Sequence, residues 1–128
     1  MTYSNRFIAP LLIALFFLSG CSSEPKVVES DSGKLIKIRA GETFLVELSG
    51  NPATGYMWEV SEADASILRQ TNETIFKADR NSIGSPGKFN LRFKAIAPGK
   101  TTLALAYRRP WEKNVPPLNT YKMDVEVR

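Results

Sequence analysis

The chain has 128 residues, with 17 lysines and arginines against 13 aspartates and glutamates, and no histidine. This length allows one domain with one core, and a net charge of only +4, with no run of five or more like charges, does not favour nucleic acid as a partner. The lack of histidine excludes Ser-His-Asp and Cys-His catalysis and removes the commonest zinc ligand. We therefore expect no enzymatic activity, no small-molecule substrate, no metal and no cofactor.

The first twenty residues have the pattern of a secretory signal peptide. Arg6 is their only charged residue, and the apolar run 7–18 is shorter than the roughly 20 residues that a membrane-spanning helix needs. The cut site at 18–21 (Leu-Ser-Gly-Cys) resembles the lipobox of bacterial lipoproteins, which predicts that Cys21 is the acylated first residue of the mature protein. Several acyl chains on one residue anchor a protein stably. An ordinary signal peptide followed by a chance cysteine is the alternative.

Residues 22–33 are polar and rich in serine, which predicts a flexible tether between Cys21 and a domain over residues 34–128. Such a tether reaches at most about 40 Å when extended and roughly 20 Å as a coil. The protein is thus expected in the cell envelope, lipid-anchored and periplasmic or surface-facing. Ser22 after the cysteine favours the outer membrane if the organism is Gram-negative. Because Cys21 is the only cysteine, the domain is expected to have no disulfide.

From residue 34 onward, apolar and polar residues alternate, which predicts strands with one face in a core and one in water. Turn signals rich in glycine, proline and asparagine separate these strands. Seven or eight strands of this spacing favour an all-β, immunoglobulin-like antiparallel sandwich. Trp58 is expected in its core, beside Phe44, Phe93 and Leu105. The predicted strands lie near 34–39, 42–49, 57–61, 66–70, 74–80, 88–96, 101–108 and 119–127.

Three predicted loops contain residue types that suit recognition. The loop 51–56 combines asparagine, proline and glycine and is expected to be stiff, although a turn selected for geometry alone has the same composition. The loop 81–87 is rich in glycine and serine and by itself indicates little. Residues 108–111 read Arg-Arg-Pro-Trp directly after a strand, and these residue types are enriched at binding hot spots. Trp111 either stays exposed for a partner or folds back as a lid on the core.

Together these loops resemble the chagasin family of cysteine-peptidase inhibitors. That family has three motifs in order, Asn-Pro-x-Thr-Gly-Tyr/Phe, Gly-x-Gly-Gly and Arg-Pro-Trp/Phe, and the resemblance covers residues 34–128. The second motif departs from the pattern, because Pro86 stands where the family has glycine. The matching positions are Asn51, Pro52, Ala53, Thr54, Gly55 and Tyr56, then Gly84, Ser85, Pro86 and Gly87, then Arg109, Pro110 and Trp111.

The resemblance implies three loops side by side at one end of the sandwich, here 51–56, 81–88 and 108–112, that plug the active-site cleft of a papain-like cysteine peptidase. The first loop enters the centre of the cleft, where Thr54 forms a hydrogen bond, and the other two flank it. Trp111 stacks on an aromatic residue of the enzyme, and Arg109 either bonds at the rim or supports its loop. A monomeric, reversible, tight-binding and non-covalent inhibitor is therefore expected.

Two other classes of function remain open from the sequence. A non-inhibitory immunoglobulin-like envelope lipoprotein, acting as an adhesion or assembly module, keeps the β pattern but does not need Thr54 and Trp111 at one end. A carbohydrate-binding or enzymatic lipoprotein is the other class. The lack of histidine and of clustered acids counts against an enzyme, and Trp111 alone gives little support to sugar stacking.

Overall fold

The computed structural model describes residues 23–128, so the predicted signal peptide and Cys21 lie outside the described residues. Within this range the chain forms nine strands, joined by loops that include the 3₁₀ turns Glu29–Asp31 and Pro52–Thr54. No helix of residues 23–128 is long and apolar enough to cross a membrane. The strands are β1 (Lys26–Val27), β2 (Leu35–Ile38), β3 (Thr43–Gly50), β4 (Met57–Glu62), β5 (Leu68–Gln70), β6 (Ile75–Ala78), β7 (Gly87–Ala95), β8 (Gly99–Arg108) and β9 (Asn119–Val127).

The strands form two sheets. The first sheet has the order β1-β3-β7-β5, with β6 also paired to β7, and the second has the order β2-β9-β8-β4. Pairing is antiparallel except for β1 with β3 and β2 with β9. All eight strands predicted from the alternation are present, with ends that differ by at most two residues. The prediction of an all-β, immunoglobulin-like sandwich is confirmed, and β1 is the additional strand.

The core lies between the two sheets and is built from the alternate residues of each strand. In β7, for example, the odd positions from 87 to 95 are buried and the even positions are not. Trp58, Phe44, Phe93 and Leu105 are all at most 3% exposed, as predicted, and the rings of Phe44 and Phe93 stack with centroids 5.6 Å apart. Each such side chain contributes about 1.5–3 kcal/mol on burial, which stabilises a domain without a disulfide.

Residues 24–33 pack against the sandwich, and we call them the strap. The prediction of a flexible tether over 22–33 is therefore wrong for this segment. Val27 is only 8% exposed, and β1 adds to the edge of β3. Glu24 accepts hydrogen bonds from Arg92 Nε at 2.8 Å and from Thr43 Oγ1 at 2.6 Å. The serines and acids that suggested a tether are instead used in contacts with distant parts of the chain.

The strap also explains the two parallel pairings. The strap runs along the edge of the first sheet beside β3 and turns through Glu29–Asp31. The chain then returns in the opposite direction as β2, beside β9 in the second sheet. Tyr121 of β9 donates a hydrogen bond to the Val28 carbonyl at 3.1 Å, which fixes this crossing between the sheets. The strap thus closes one open side of the sandwich.

The topology gives the sandwich two different ends. The connections 51–56, 79–86 and 109–118 meet at one end, which we call the loop end, because Gly50 pairs with Gly87, and Met57 with Arg108. The turns 39–42 and 96–98 lie at the opposite end, which we call the distal end. The implied placement of three loops side by side thus follows from strand register.

Replacement of Glu24 by glutamine tests the strap. The bond from Arg92, followed by that from Thr43, lowers the pKa of Glu24 below its ordinary value of 4.5. Since the folded-state pKa is the lower one, this stabilisation is present above pH 4.5 and is lost as the pH falls through the folded value. We expect the variant to be less stable than the wild type by up to about 1 kcal/mol at pH 7, as is typical of a partly exposed ion pair.

Thermal unfolding at pH 7 and pH 3 measures this effect. The difference in Tm between wild type and Glu24→Gln should be roughly 4–6 °C at pH 7 and smaller at pH 3. Glu73→Gln is the control, because Glu73 is exposed and makes no ion pair within residues 23–128. An equal difference at both pH values would contradict a role for the carboxylate charge.

Candidate functional site

The loop 51–56, which we call the central loop, is a single 3₁₀ turn held by its own polar groups. Asn51 caps the turn by accepting a hydrogen bond from the Ala53 amide at 3.0 Å, and Pro52 occupies the first helical position. The Thr54 hydroxyl donates to the Asn51 carbonyl at 2.7 Å. Gly55 ends the turn at φ +85°, a backbone conformation that side-chain-bearing residues seldom adopt. This bonding restrains the loop in one conformation and accords with the expected stiffness.

A column of stacked groups connects the central loop to the core. The ring centroids of Trp58 and Tyr107 lie 5.1 Å apart, and those of Tyr107 and Tyr56 lie 5.2 Å apart. The guanidinium carbon of Arg109 lies 4.6 Å from the centroid of Tyr56, in a cation–π arrangement. The Tyr107 hydroxyl accepts a hydrogen bond from the Asn51 amide at 2.9 Å. The column thus supports the central loop through the bond to the Asn51 amide and through the stacking on Tyr56.

The connection 109–118, which we call the tryptophan loop, packs against one side of the central loop. Arg109 Nε donates to the Thr54 carbonyl at 3.0 Å, and Arg109 Nη1 lies 3.3 Å from a carboxylate oxygen of Glu112. Arg109 therefore supports both loops, as one of its two expected roles requires. Arg108 Nη2 also donates, at 2.8 Å, to the Glu112 carbonyl and holds the same turn.

Trp111 stands at the tip of the tryptophan loop and is 67% exposed. The alternative in which it folds back as a lid on the core is therefore wrong. One edge of its indole rests on Gly55, so closely that a methyl group added at Gly55 would overlap the ring. Gly55 is thus required twice, for its positive φ and for the space that Trp111 occupies.

The connection 79–86, which we call the glycine loop, packs against the central loop through a hydrogen bond of 3.0 Å from Asn51 Nδ2 to the Gly84 carbonyl. Ser85 is 8% exposed, and its hydroxyl accepts from the Arg80 amide at 3.1 Å and donates to the Pro86 carbonyl at 2.9 Å. Gly87 is buried at the start of β7, where an added methyl group would collide with the Lys77 carbonyl. Ser85 and Gly87 thus determine the conformation of the loop and do not belong to its exposed surface.

The structure therefore brings all thirteen predicted positions to one end but presents them differently. Exposed toward a partner are Pro52, Ala53, Thr54, Gly84, Pro86, Pro110 and Trp111. Partly covered are Asn51, Gly55, Tyr56 and Arg109, whereas Ser85 and Gly87 face inward. Within residues 23–128 no three histidine, cysteine or acidic side chains come together as metal ligands would.

Three residues outside the predicted set belong to the loop end. Ile83 is fully exposed at the tip of the glycine loop, and its signal was a lone apolar residue among asparagine, serine and glycine. Tyr107 continues the alternation of Leu103 and Leu105 along β8, and its position just before Arg108-Arg109 was the available hint. Glu112 bonds to Arg109, and only its spacing of three residues could have suggested the pair.

Comparison with known proteins agrees with this geometry. A family model described as chagasin family peptidase inhibitor I42 matches residues 37–125. Amoebiasin-2 of Entamoeba histolytica is 28% identical over 119 residues, which cover 89% of this chain and 97% of that protein. Amoebiasin-1 of the same organism is 30% identical over 105 residues, which cover 80% of this chain and 98% of that protein.

A solved structure extends the likeness to three dimensions. The crystal structure of a cysteine protease inhibitor from Entamoeba histolytica superposes with a TM-score of 0.72 at 27% identity, covering 81% of this chain and 95% of the other. The family model spans most of the sandwich and contains all three loops. The chain belongs to the chagasin family of peptidase inhibitors.

Proposed function

We propose that this protein is a reversible, tight-binding, non-covalent inhibitor of papain-like cysteine peptidases, with the loop end as its binding surface. The observation that carries this proposal is the stiff, exposed central loop, flanked by the exposed apolar side chains of Trp111 and Ile83. The central loop enters the cleft, and the glycine and tryptophan loops contact its two walls. The protein acts as an inhibitor and not as an enzyme.

The 3₁₀ turn explains how the loop occupies a cleft without being cleaved. Peptidase substrates bind in an extended conformation, whereas residues 52–54 are curled into a turn closed by the bond from the Gly55 amide to the Pro52 carbonyl at 2.9 Å. Unwinding this turn also breaks the bond from Arg109 to the Thr54 carbonyl. The loop therefore offers the catalytic cysteine no peptide bond in a reactive geometry.

Thr54 meets the enzyme as a hydrogen-bond acceptor. Its hydroxyl proton is directed inward to the Asn51 carbonyl, so the oxygen keeps its lone pairs for a donor from outside. Donors of this kind, such as backbone amides or a protonated imidazole, surround the nucleophile of a cysteine peptidase. The Thr54 side chain is exposed at the last residue of the 3₁₀ turn.

Preorganisation makes tight binding possible. The central loop already has its bonds to Tyr107, Gly84 and Arg109, so little conformational entropy is lost on binding. The Trp111 indole packs against Gly55, and Pro110 precedes it in the chain and restricts its backbone. An exposed indole held in this way is a typical hot-spot residue. Affinity then comes from burying surfaces that need no rearrangement.

The lipid anchor on Cys21 is the second part of the proposal. It is supported by the charged and apolar pattern of residues 1–20 and by the small residues before the only cysteine. The protein is accordingly a lipoprotein of the cell envelope, of bacterial type, that is periplasmic or surface-facing. An anchored inhibitor protects the envelope locally.

Titration of papain with residues 22–128 tests the inhibitory function. We expect complete, reversible inhibition that recovers on dilution, with the inhibitor chain intact by mass spectrometry. Absence of inhibition at micromolar concentration would contradict the proposal. Capture of an envelope protein by the same inactive domain would then favour the adhesion or assembly module.

Trp111→Ala separates binding from folding. Because the indole is 67% exposed, we expect the Tm to change by only about 2 °C, whereas loss of a hot spot worth about 2 kcal/mol weakens inhibition roughly 30-fold. Leu35→Ala is the control, since Leu35 is 54% exposed but lies on β2, away from the loops. A large fall in Tm, or unchanged inhibition, would refute the assignment of Trp111 to the binding surface.

Gly55→Ala tests the contact between the central loop and Trp111. The added methyl group displaces the indole, so we expect inhibition at least ten-fold weaker, together with a loss of about 1–2 kcal/mol in stability from the positive φ. Gly41→Ala is the matched control: it has φ +92° at the distal end and no atom within 4 Å of the added carbon. It should lose similar stability in thermal unfolding and keep full inhibition. Equal inhibition by both variants would contradict the role of Gly55.

A further inference from the structure

The strap determines where the N-terminus leaves the sandwich. β1 runs parallel to β3, with Lys26 opposite Leu45, and β3 runs from the distal end toward the loop end. Glu24 bonds to Thr43, the first residue of β3. The chain before Glu24 therefore emerges at the distal end, away from the central loop.

The strap is fixed to the sandwich at several points. Glu24 takes two bonds from Arg92, at 2.8 and 3.1 Å. The Pro25 carbonyl accepts from the Leu45 amide at 2.9 Å, and Val27 is buried in the core. These contacts fix the strap to the domain, so the strap and the sandwich move as one body whose attached end is the distal end.

The distances follow from chain geometry. Glu24 follows Cys21 by three residues in the sequence, and three residues span at most about 10 Å when fully extended. β3 has eight residues and spans about 25 Å, so the loop end lies at least that much farther away. The predicted tether, with a reach of some 40 Å, is therefore absent from residues 24–33, because these residues are fixed to the sandwich as the strap.

We propose that the distal end lies against the membrane surface and that the three loops project away from it, about 30 Å above the headgroups. This orientation rests on the proposed lipid anchor at Cys21. The distal turns carry exposed Arg39 and Glu42, and exposed Ile96 and Pro98. Lys100 and Arg128 lie at the same end near Glu126, so basic side chains add to the attachment that the lipid provides, while the strap sets which end is attached.

The orientation defines the partner more closely. A loop end that faces the aqueous phase binds a peptidase whose cleft lies away from the membrane surface, as in a secreted or periplasmic enzyme. A peptidase with its cleft close to the same membrane would be out of reach of the central loop.

Fluorescence quenching in vesicles tests the orientation with the full-length lipidated protein. Because Cys21 is the only native cysteine and its sulfur is used by the lipid, a second cysteine can be labelled alone. Ala40→Cys marks the distal end and Ser82→Cys the glycine loop, and both positions are exposed. Each is labelled with an environment-sensitive fluorophore and placed in phosphatidylcholine vesicles that contain a lipid spin-labelled at the headgroup.

We expect the label at residue 40 to be quenched at least five-fold more than the label at residue 82. Similar quenching at both positions, or none at residue 40 in protein that floats with the vesicles, overturns the proposal. Failure to float, with no difference from Cys21→Ser, overturns the lipid anchor and the orientation with it. Papain titration of the vesicles that carry the label at residue 40 reports on inhibition separately, so a defect in inhibitory function is distinguishable from a wrong orientation.

A pair of variants on β7 tests the role of the strap. Arg92→Met removes the partner of Glu24, and we expect it to reduce quenching at residue 40 by about half while flotation stays complete. Lys94→Met removes the same charge from the same strand, closer to the distal end, without touching the strap. Equal quenching in the two variants would show that the strap does not orient the domain.

Discussion

The hydrogen bond from the Asn51 amide to the Tyr107 hydroxyl joins the core of the sandwich to its loop end. The Tyr107 ring lies between those of Trp58 and Tyr56, so the position of this hydroxyl is determined by core packing. Asn51 in turn caps the 3₁₀ turn and reaches the Gly84 carbonyl. A displacement of Tyr107 would therefore shift the central loop and its contact with the glycine loop together.

The loop end combines features that are unfavourable for stability alone. Trp111 and Ile83 expose large apolar side chains, and Gly55 holds a backbone conformation that most residues avoid. Natural proteins keep such local conflicts mainly where function requires them. The stacked column below the loops offsets these costs, because it fixes the exposed groups in one arrangement.

Much of the fold could be predicted because it depends on local pattern. Alternation in β7 and β8 identifies the core face directly, and the three motifs lie in connections whose register brings them together. The strap could not be predicted in this way. Its main contact joins Glu24 to Arg92, which are 68 residues apart, and a short polar segment has the composition of a tether whether or not it finds such a partner.

The site was predictable by residue type but not by orientation. Ser85 and Gly87 occupy motif positions yet face inward, since one satisfies buried backbone groups and the other lies too close to the Lys77 carbonyl for a side chain. Tyr107 was concealed by its regular place in the alternation of β8. Its stacking with Trp58 and its bond from the Asn51 amide show that it belongs to both the core and the site.

The chemistry of the bonds at the loop end has a consequence for the behaviour of the protein in acid. The five bonds that hold the central loop join amides, carbonyls, hydroxyls and the guanidinium of Arg109, and no carboxylate takes part in them. The carboxylate of Glu24, by contrast, holds the strap at the other end. In acid strong enough to protonate Glu24, the strap therefore loses its ion pair while these five bonds of the central loop remain.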